Sequence, residues 1–374
     1  MWDVAIIGAG LTGLTCAQQL AAAGQKVCVL DKSRGLGGRM ATRRIGHLRV
    51  DHGLRYWQPA TEGLQSLTAE LLSAGILKQW PVSAYEIRQR EVIVPIAPGP
   101  IYTAPEGMSA IGKYLARDLS ADQILTSYRA VALNYHNGHW EIHCEGRQTV
   151  VAKCCAIAIP APQAAALLST RLTDDDDDEI ETIDPMPTLP AIAQLRAVEY
   201  WPCLTVIAGY ERDRDFDMGP LDPNGWMVSD FAGTSTYWVG LDSSKRDAVS
   251  GPVLVIHSKA PLAQQYIDAQ DLQPAASVLL RANARKLCEW IAQPEWFQIH
   301  RWRYAQVRVP HRADLLVIKD SLISGGDWCI PPVEEAVEGT TAAGDKANTT
   351  ARQNIDYAYL SGLAMAKALQ NASE

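Results

Sequence analysis

Three features near the start of the 374-residue chain predict an α/β fold. Residues 4–7 form an apolar strand. The turn Gly8-Ala9-Gly10-Leu11-Thr12-Gly13 runs into a helix. A second apolar strand, residues 27–30, closes on Asp31. Strand, glycine turn, helix and acid-ended strand in that order describe a Rossmann-type unit, which binds a dinucleotide at the carboxyl edge of a parallel sheet.

Each part has its own physical reason. Four consecutive apolar residues suit a parallel strand buried on both faces. Gly8 permits the tight turn, Gly10 lets backbone approach a pyrophosphate, and Gly13 lets the helix pack closely on the strand. The helix, expected from about residue 11 to 23, turns its free N-terminal amides and the positive end of its dipole toward phosphates; Leu11 and Thr12 lie in that first turn. Leu11, Leu14, Ala17 and Leu20 recur at helical spacing. Asp31 stands about twenty residues past the glycines, where a carboxylate accepts the ribose hydroxyls. Because the motif opens at residue 3, no signal peptide fits before it, and a cytoplasmic protein is expected.

Residues 32–44 separate the two common dinucleotides. An NAD domain passes from the ribose acid straight into its next helix. Here Gly37 and Gly38 precede Arg39, which suits backbone running beneath a longer cofactor with a guanidinium ready for phosphate oxygens. Arg34, Arg43 and Arg44 read in part as a solvated basic loop. FAD is therefore the predicted cofactor, and redox chemistry the predicted activity.

With those residues in view, the run Asp31-Lys32-Ser33-Arg34-Gly35-Leu36-Gly37-Gly38-Arg39-Met40-Ala41-Thr42-Arg43-Arg44 resembles the signature of the renalase family, a branch of the FAD-dependent amine-oxidase-like flavoproteins. Further segments resemble that family in its own order. Asp51-His52-Gly53-Leu54-Arg55-Tyr56-Trp57 is similar to the stretch whose backbone lies against the flavin, and Glu106-Gly107-Met108-Ser109-Ala110-Ile111 to a helix start. His300-Arg301-Trp302-Arg303-Tyr304-Ala305 resembles a late strand. Gly325-Gly326-Asp327-Trp328-Cys329 resembles the element whose aspartate bonds the ribityl chain. Residues 354–369, with Ser361-Gly362-Leu363-Ala364, resemble the last helix, aimed at the flavin's pyrimidine edge.

The resemblance implies a FAD-binding domain of the amine oxidase / p-hydroxybenzoate hydroxylase type with a smaller mixed α+β substrate domain. It adds Lys32, Gly38, Met40, His52, Gly53, Val131, Gly326, Asp327 and Asp356 to the cofactor residues Gly8, Gly10, Leu11, Thr12, Gly13, Asp31 and Arg39. It also places Trp57, Trp201, Trp302 and Tyr304 near the flavin, without singling out a catalytic residue. The chain departs from the family where residues 330–353 intervene between the Gly-Asp element and the last helix, where Asp356 replaces a usual glutamate, and at the acidic block 174–179. Such a block reads as a solvated loop, since calcium loops alternate their acids with other residues.

Bulk properties narrow the class. A net charge of −8 argues against nucleic acid and anionic membranes as principal partners. The longest apolar run, 154–168, is interrupted by Pro160 and Pro162 and is too short to span a bilayer. Eight cysteines without CxxC spacing read as free thiols in a reducing compartment, and the Cys154-Cys155 pair as buried strand residues. His136, His139 and His143 straddle an expected hairpin at Asn137-Gly138, so no metal site is expected.

The cofactor domain must be discontinuous, because its first strand and its Gly-Asp element lie at opposite ends of the chain. Residues 1–79, 106–186 and 297–374 are assigned to it. Residues 80–105 and 187–296 form the substrate domain, with strands expected at 204–210, 226–229, 237–241 and 253–257 and a helix at 275–291. A single dinucleotide cradle, filled by FAD, leaves any nicotinamide to enter as substrate. The renalase resemblance implies hydride transfer from dihydro-NAD(P) isomers, with O2 reoxidising the flavin. Two alternatives stay open: a flavin amine oxidase or desaturase-like dehydrogenase, and a non-enzymatic FAD-binding redox protein. The sequence leaves the oligomeric state undetermined.

Overall fold

Two β-sheets organise the chain in the computed structural model, which describes residues 1–88, 92–170, 185–212, 219, 221–246, 251–332 and 346–371, with backbone alone for 185–188 and 346–353. The acidic block 174–179 and most of the 330–353 insertion lie outside the described residues.

The first sheet has eight strands among those residues. Six follow the order Ala130–His136, His139–Cys144, Val150–Ile157, Trp2–Ile7, Val27–Asp31, Ile124–Thr126. The central pairings are parallel, with Val4 opposite both Val27 and Cys154. Leu322–Ser324 pairs parallel to the second half of Val150–Ile157 and carries Leu316–Lys319 beside it. Strand alternation divides the first strand between two cores. Val4 and Ile6 pack with Leu14, Leu20 and Met365, whereas Ala5 and Ile7 pack with Trp140, Ala161 and Leu322. Both faces are covered, which is why the strand is apolar without alternation. The Asn137-Gly138 hairpin forms with φ of 50° and 81°, the double left-handed pair of a type I′ turn.

Helix α1, Leu11–Ala22, follows the first glycine turn; α2 is Glu62–Ser73 and α3 is Lys346–Asn371. Two close approaches hold α1 in place. A Cβ on Gly13 would stand 1.9 Å from the Gly8 carbonyl oxygen, and one on Gly362 in α3 would stand 2.6 Å from the Thr12 oxygen. Glycine is required at both points because backbone meets helix there directly.

The second sheet has seven strands, in the order Trp296–Val309, Glu199–Gly209, Val253–Ser258, Thr236–Leu241, Trp226–Asp230, Ser83–Ile87, Ile93–Ile96. The strands expected at 204–210, 226–229, 237–241 and 253–257 are all present; their bounds agree to a residue except that the first begins earlier, at Glu199. The helix expected at 275–291 runs Gln273–Lys286 and is followed by a 3₁₀ turn at Glu289–Ala292, with Cys288 extended between them. One sheet face packs on helices Ala260–Tyr266 and Gln273–Lys286 through Leu262, Leu279 and Leu280. Its other face meets Val50, Tyr56, Trp80 and Ile101. One assignment needs correction. Strand Trp296–Val309 was placed with the cofactor domain from residue 297 onward, yet it pairs along its length with Glu199–Gly209 in this second sheet.

A buried ionic cluster ties the small hairpin of strands Thr42–Ile45 and Leu48–Asp51 to the turn after strand Thr236–Leu241 of the second sheet. Asp51, from the first domain, faces Lys245 and Arg246, and both cations also pair with Asp242 at 2.6 and 2.8 Å. Asp51 further accepts from Thr42 Oγ1 at 2.7 Å and from the Met108 amide at 2.9 Å. Burial alone would raise the Asp51 carboxyl; Lys245 and Arg246 outweigh it and hold the group below its ordinary value. Two acids and two bases cancel, so charge is taken out of water without leaving a net excess. Among the described residues, no helix is long and apolar enough to cross a membrane.

The α1–α3 crossing makes a quantitative prediction. Gly362→Val drives a side chain into Thr12 and Thr15 and is expected to cost about 1–3 kcal/mol. Urea unfolding at equilibrium measures it; an unchanged midpoint contradicts the packing described.

Candidate cofactor and active site

The N-terminal glycine turn has the shape its spacing predicts. Gly10 is the N-cap of α1, with φ −82° and no side chain capping the helix amides, and no acid occupies the first turn. A Cβ on Gly10 would meet nothing within 4 Å. The amides therefore open onto free space, the environment an anion needs. Asp31 fixes the opposite wall: one carboxylate oxygen accepts from the Ala9 amide at 2.7 Å and the other from Ser33 at 2.7 Å. Each oxygen keeps lone pairs for ribose hydroxyls. Lys32 is exposed beside it. The next strand comes back to this edge, where the Tyr128 amide donates to the Asp31 carbonyl at 2.9 Å. Val131 stands shortly beyond, at a register shift in Ala130–His136.

The Gly37-Gly38 pair brings the basic segment onto the cradle. Gly37 donates to the Ala9 carbonyl at 2.8 Å, and both glycines have positive φ, 109° and 54°. A Cβ on Gly38 would lie 3.2 Å from the Gly10 Cα. Arg39 follows and reaches Asp327, 288 residues away, through two parallel hydrogen bonds of 2.6 and 2.7 Å. It also donates to the Tyr304 carbonyl at 3.3 Å. Burial works against its charge, and the Asp327 carboxylate more than offsets that, keeping the guanidinium above its ordinary value. The Arg39 side chain remains one-third exposed, 34 %, so an edge stays open to a ligand. Met40, by contrast, puts its side chain into the core and has only backbone to offer.

Gly53 seals the corner. A Cβ there would be 2.1 Å from the Arg39 carbonyl oxygen, which instead accepts the Leu54 amide at 2.8 Å. Trp302 donates its indole N–H to the His52 carbonyl at 3.1 Å. The His52 ring lies 4.6 Å from His300 and 5.3 Å from Trp302, and Tyr304 stands 5.4 Å from Tyr200. Gly326 donates to Ser361 Oγ at 3.0 Å, docking the Gly-Asp element on α3. Of the residues assigned from sequence, Gly8, Gly10, Leu11, Thr12, Gly13, Asp31, Gly38, Arg39, Gly326 and Asp327 gather at the edge of the first sheet, and His52 and Gly53 link them to Trp302 and Tyr304 on a strand of the second.

Three assigned residues stand apart. Trp57 is fully buried in the core, bonded to Thr68 Oγ1 at 2.8 Å. Trp201 stacks on Arg308 at 4.5 Å, while its neighbour Tyr200 takes the site face. Asp356 gives its carboxylate to the start of α2, accepting from the Thr61 amide and hydroxyl at 2.7 Å each and from Ala60 at 3.1 Å. Tyr200 and His300 were missed. His300 was legible, because 300, 302 and 304 alternate on a strand beside two residues already chosen.

The two imidazoles are held neutral. Burial first, then His300 and Arg43, pushes His52 down to about 4; burial and Arg43 do the same for His300. Tyr200 is pushed well above its ordinary value by burial and the Asp327 charge.

A cradle open at Gly10, a fixed ribose acid, a guanidinium beside the turn and an aromatic corner make the geometry of a flavin-dinucleotide oxidoreductase, and the residues present fit FAD. The chain belongs to the flavin-containing amine oxidoreductase family, whose sequence model matches residues 77–370; a NAD(P)-binding Rossmann-like domain model matches residues 6–71. That family is flavin-containing, which agrees with FAD as the cofactor. Curated relatives match over short segments. A protein named flavin-containing monoamine oxidase AofH, of Mycobacterium tuberculosis, is 33% identical over 69 residues, 18% of this chain and 15% of that protein. The L-amino-acid oxidase of Echis ocellatus is 50% identical over 42 residues, 11% of this chain and 8% of that one. The aligned stretch therefore spans well under two thirds of either relative. Among solved structures, putrescine oxidase bound to putrescine has a TM-score of 0.68 at 13% identity, covering 99% of both chains. Cyclohexylamine oxidase from Brevibacterium oxydans gives 0.67 at 12% identity, again over 99% of both. These structures share the fold.

Two outcomes are expected. Gly10→Val has room and an ordinary φ, so the variant should fold with the thermal midpoint of the FAD-free wild type and purify without FAD; Asp31→Ala should retain FAD weakly. Fully yellow variants of both would contradict the cradle. The second outcome concerns pH. With His52 and His300 at about 4 when folded and near 6.5 when unfolded, the unfolded chain binds more protons between those values. Stability should fall as pH drops through that window, and a His52→Gln, His300→Gln double variant should flatten the fall in the urea midpoint. An identical profile would contradict it.

Proposed function

We propose that this oxidoreductase takes hydride from a reduced nicotinamide-type small molecule, a dihydro-NAD(P) isomer in renalase-like fashion, and passes the electrons to O2. One observation carries the reading. The aromatic corner of His52, His300, Trp302, Tyr304 and Tyr200 offers planar rings, and the carboxylate beside it, Asp327, has its charge offset by the bidentate pair with Arg39. A planar ring can stack on such a wall; the same rings would also attract an ammonium group, but without a carboxylate to pair with it.

Bound FAD supplies the hydride acceptor. The chain's contribution is placement. Trp302 pins the His52 carbonyl, Gly53 lets that segment lie close against Arg39, and Arg39 fixes Asp327. His52 and His300 stay uncharged at neutral pH, so no cation forms beside the corner. A donor that is already a hydride carrier needs no protein base. Lysine, which many amine oxidases place near the flavin, is engaged elsewhere where its partners are seen: Lys153 with Asp3, Lys245 with Asp51 and Asp242, Lys286 with Asp230.

The domain division is part of this proposal. Residues 1–79, 106–186 and 310–374 hold the cofactor, and 80–105 with 187–309 close over the substrate. Membership of the amine oxidoreductase family keeps an amine donor as the competing reading. Anaerobic mixing with dihydro-NAD(P) isomers, ordinary NADH and a panel of amines decides between them. Rapid bleaching near about 450 nm by the isomers alone is the expected result. Bleaching by an amine alone selects amine oxidation, and no bleaching by any donor selects a non-enzymatic FAD protein.

A further inference from the structure

The inner face of the second sheet carries a polar row with no partners. Across four adjacent strands the register sets His300 opposite Thr205, Thr205 opposite His257, and His257 opposite Trp238. Directly paired residues share a face, so the four side chains stand in line. His300 Nε2, Thr205 Oγ1, His257 Nε2 and Trp238 Nε1 are all buried without a hydrogen-bond partner. Residues 52–55 lie over the row. His52, itself with an unpartnered Nδ1, is 4.6 Å from His300, and the Arg55 guanidinium is 5.6 Å from Trp238. Buried polar atoms without partners are uncommon, and five gathered at one place mark a site built for something else.

Arg55 supplies the sign of the missing group. It is only 7% exposed, and the rings of Tyr56, Tyr237 and Trp238 lie 5.0–5.6 Å from its guanidinium, with Tyr237 hydrogen-bonded to it. Among the described residues no carboxylate pairs with it. The buried cations nearby are treated differently: Arg39 has Asp327, and Lys245 and Arg246 share Asp51 and Asp242. That cluster is neutral, and Arg43 adds positive charge beside His52 and His300, so the region around the row is positive. Ring contacts soften the burial of a guanidinium and Tyr237 takes one of its N–H donors, but neither supplies a negative charge to balance it.

We propose that Arg55, with Thr205, His257 and Trp238, forms an oxyanion-binding subsite, so that the substrate reaching the neighbouring flavin site carries a carboxylate or phosphate. This rests on reading that corner as the substrate pocket of an FAD oxidoreductase. The subsite accepts an anion from the Arg55 fork, the Thr205 hydroxyl and the Trp238 N–H, all donors, with His257 able to present a ring N–H in one tautomer. A purely cationic amine finds no counter-charge there.

Titration of the oxidised holoprotein with benzoate and with inorganic phosphate, against benzamide and benzylamine as controls, tests it through the flavin's visible spectrum and the thermal midpoint. At least one anion should bind saturably and raise the midpoint, and the controls should not. Benzoate alone identifies a carboxylate, phosphate alone a phosphate. Arg55→Met should weaken that anion about ten- to a hundredfold, and Arg55→Lys should restore part of the loss. Thr205→Val, a change of similar volume, should weaken it several-fold and decides the matter if Arg55→Met does not fold. Failure of both anions to bind the wild type, preferential binding of benzylamine, or unchanged anion affinity in folded variants overturns the subsite. Absence of bleaching by dihydronicotinamides with anion binding intact sinks the substrate reading and leaves the subsite standing.

Discussion

The Arg39–Asp327 pair is the constraint on which the site depends. It joins the segment after the first βαβ unit to the element before the last helix, across 288 residues of chain. Everything between them, including the whole second sheet, is an excursion that must return to this point. A bidentate guanidinium–carboxylate pair fixes distance and plane together, which a lysine could not do. Gly53 closes on the carbonyl of the same arginine and the Tyr304 carbonyl on its guanidinium, so one residue, through backbone and side chain, sets the relative positions of four stretches of sequence. The Asp51–Lys245–Arg246–Asp242 cluster does the equivalent job between the 42–51 hairpin and the second sheet. Losing one member would strand an uncompensated charge in the interior, which makes the arrangement specific even where its net stabilisation is modest.

How far the sequence could be read follows from the kind of constraint each residue obeys. Gly8, Gly10 and Gly13 were legible because each solves a backbone problem of fixed spacing: a turn, an open approach and a close helix contact. Arg39 and Asp327 were legible as residues, but their bond to each other was not, since nothing local links positions so distant. Trp57 and Trp201 were misplaced for a different reason. An aromatic near a motif says nothing about which face of its strand it occupies; Tyr200 and Trp201 are neighbours on one strand and point to opposite environments. The partner of Asp356 was equally out of reach, since its carboxylate caps the start of α2 at Thr61, almost three hundred residues earlier in the chain. The strand Trp296–Val309 was assigned to the wrong domain because its pairing with Glu199–Gly209 is non-local.

The inner face of the second sheet was invisible beforehand for that reason too. His300, Thr205, His257 and Trp238 come from four separate strands and acquire a common direction only through register. No single segment announces them. Their rings and hydroxyl lie beneath an arginine without a carboxylate partner among the described residues.

Native mass spectrometry of the purified chain after incubation with FAD or with NAD examines the central claim most directly. One FAD held per chain, surviving exchange into volatile buffer while NAD leaves no adduct, is the result this account requires. A bare chain in both cases, or a stoichiometric NAD adduct in place of FAD, would contradict it.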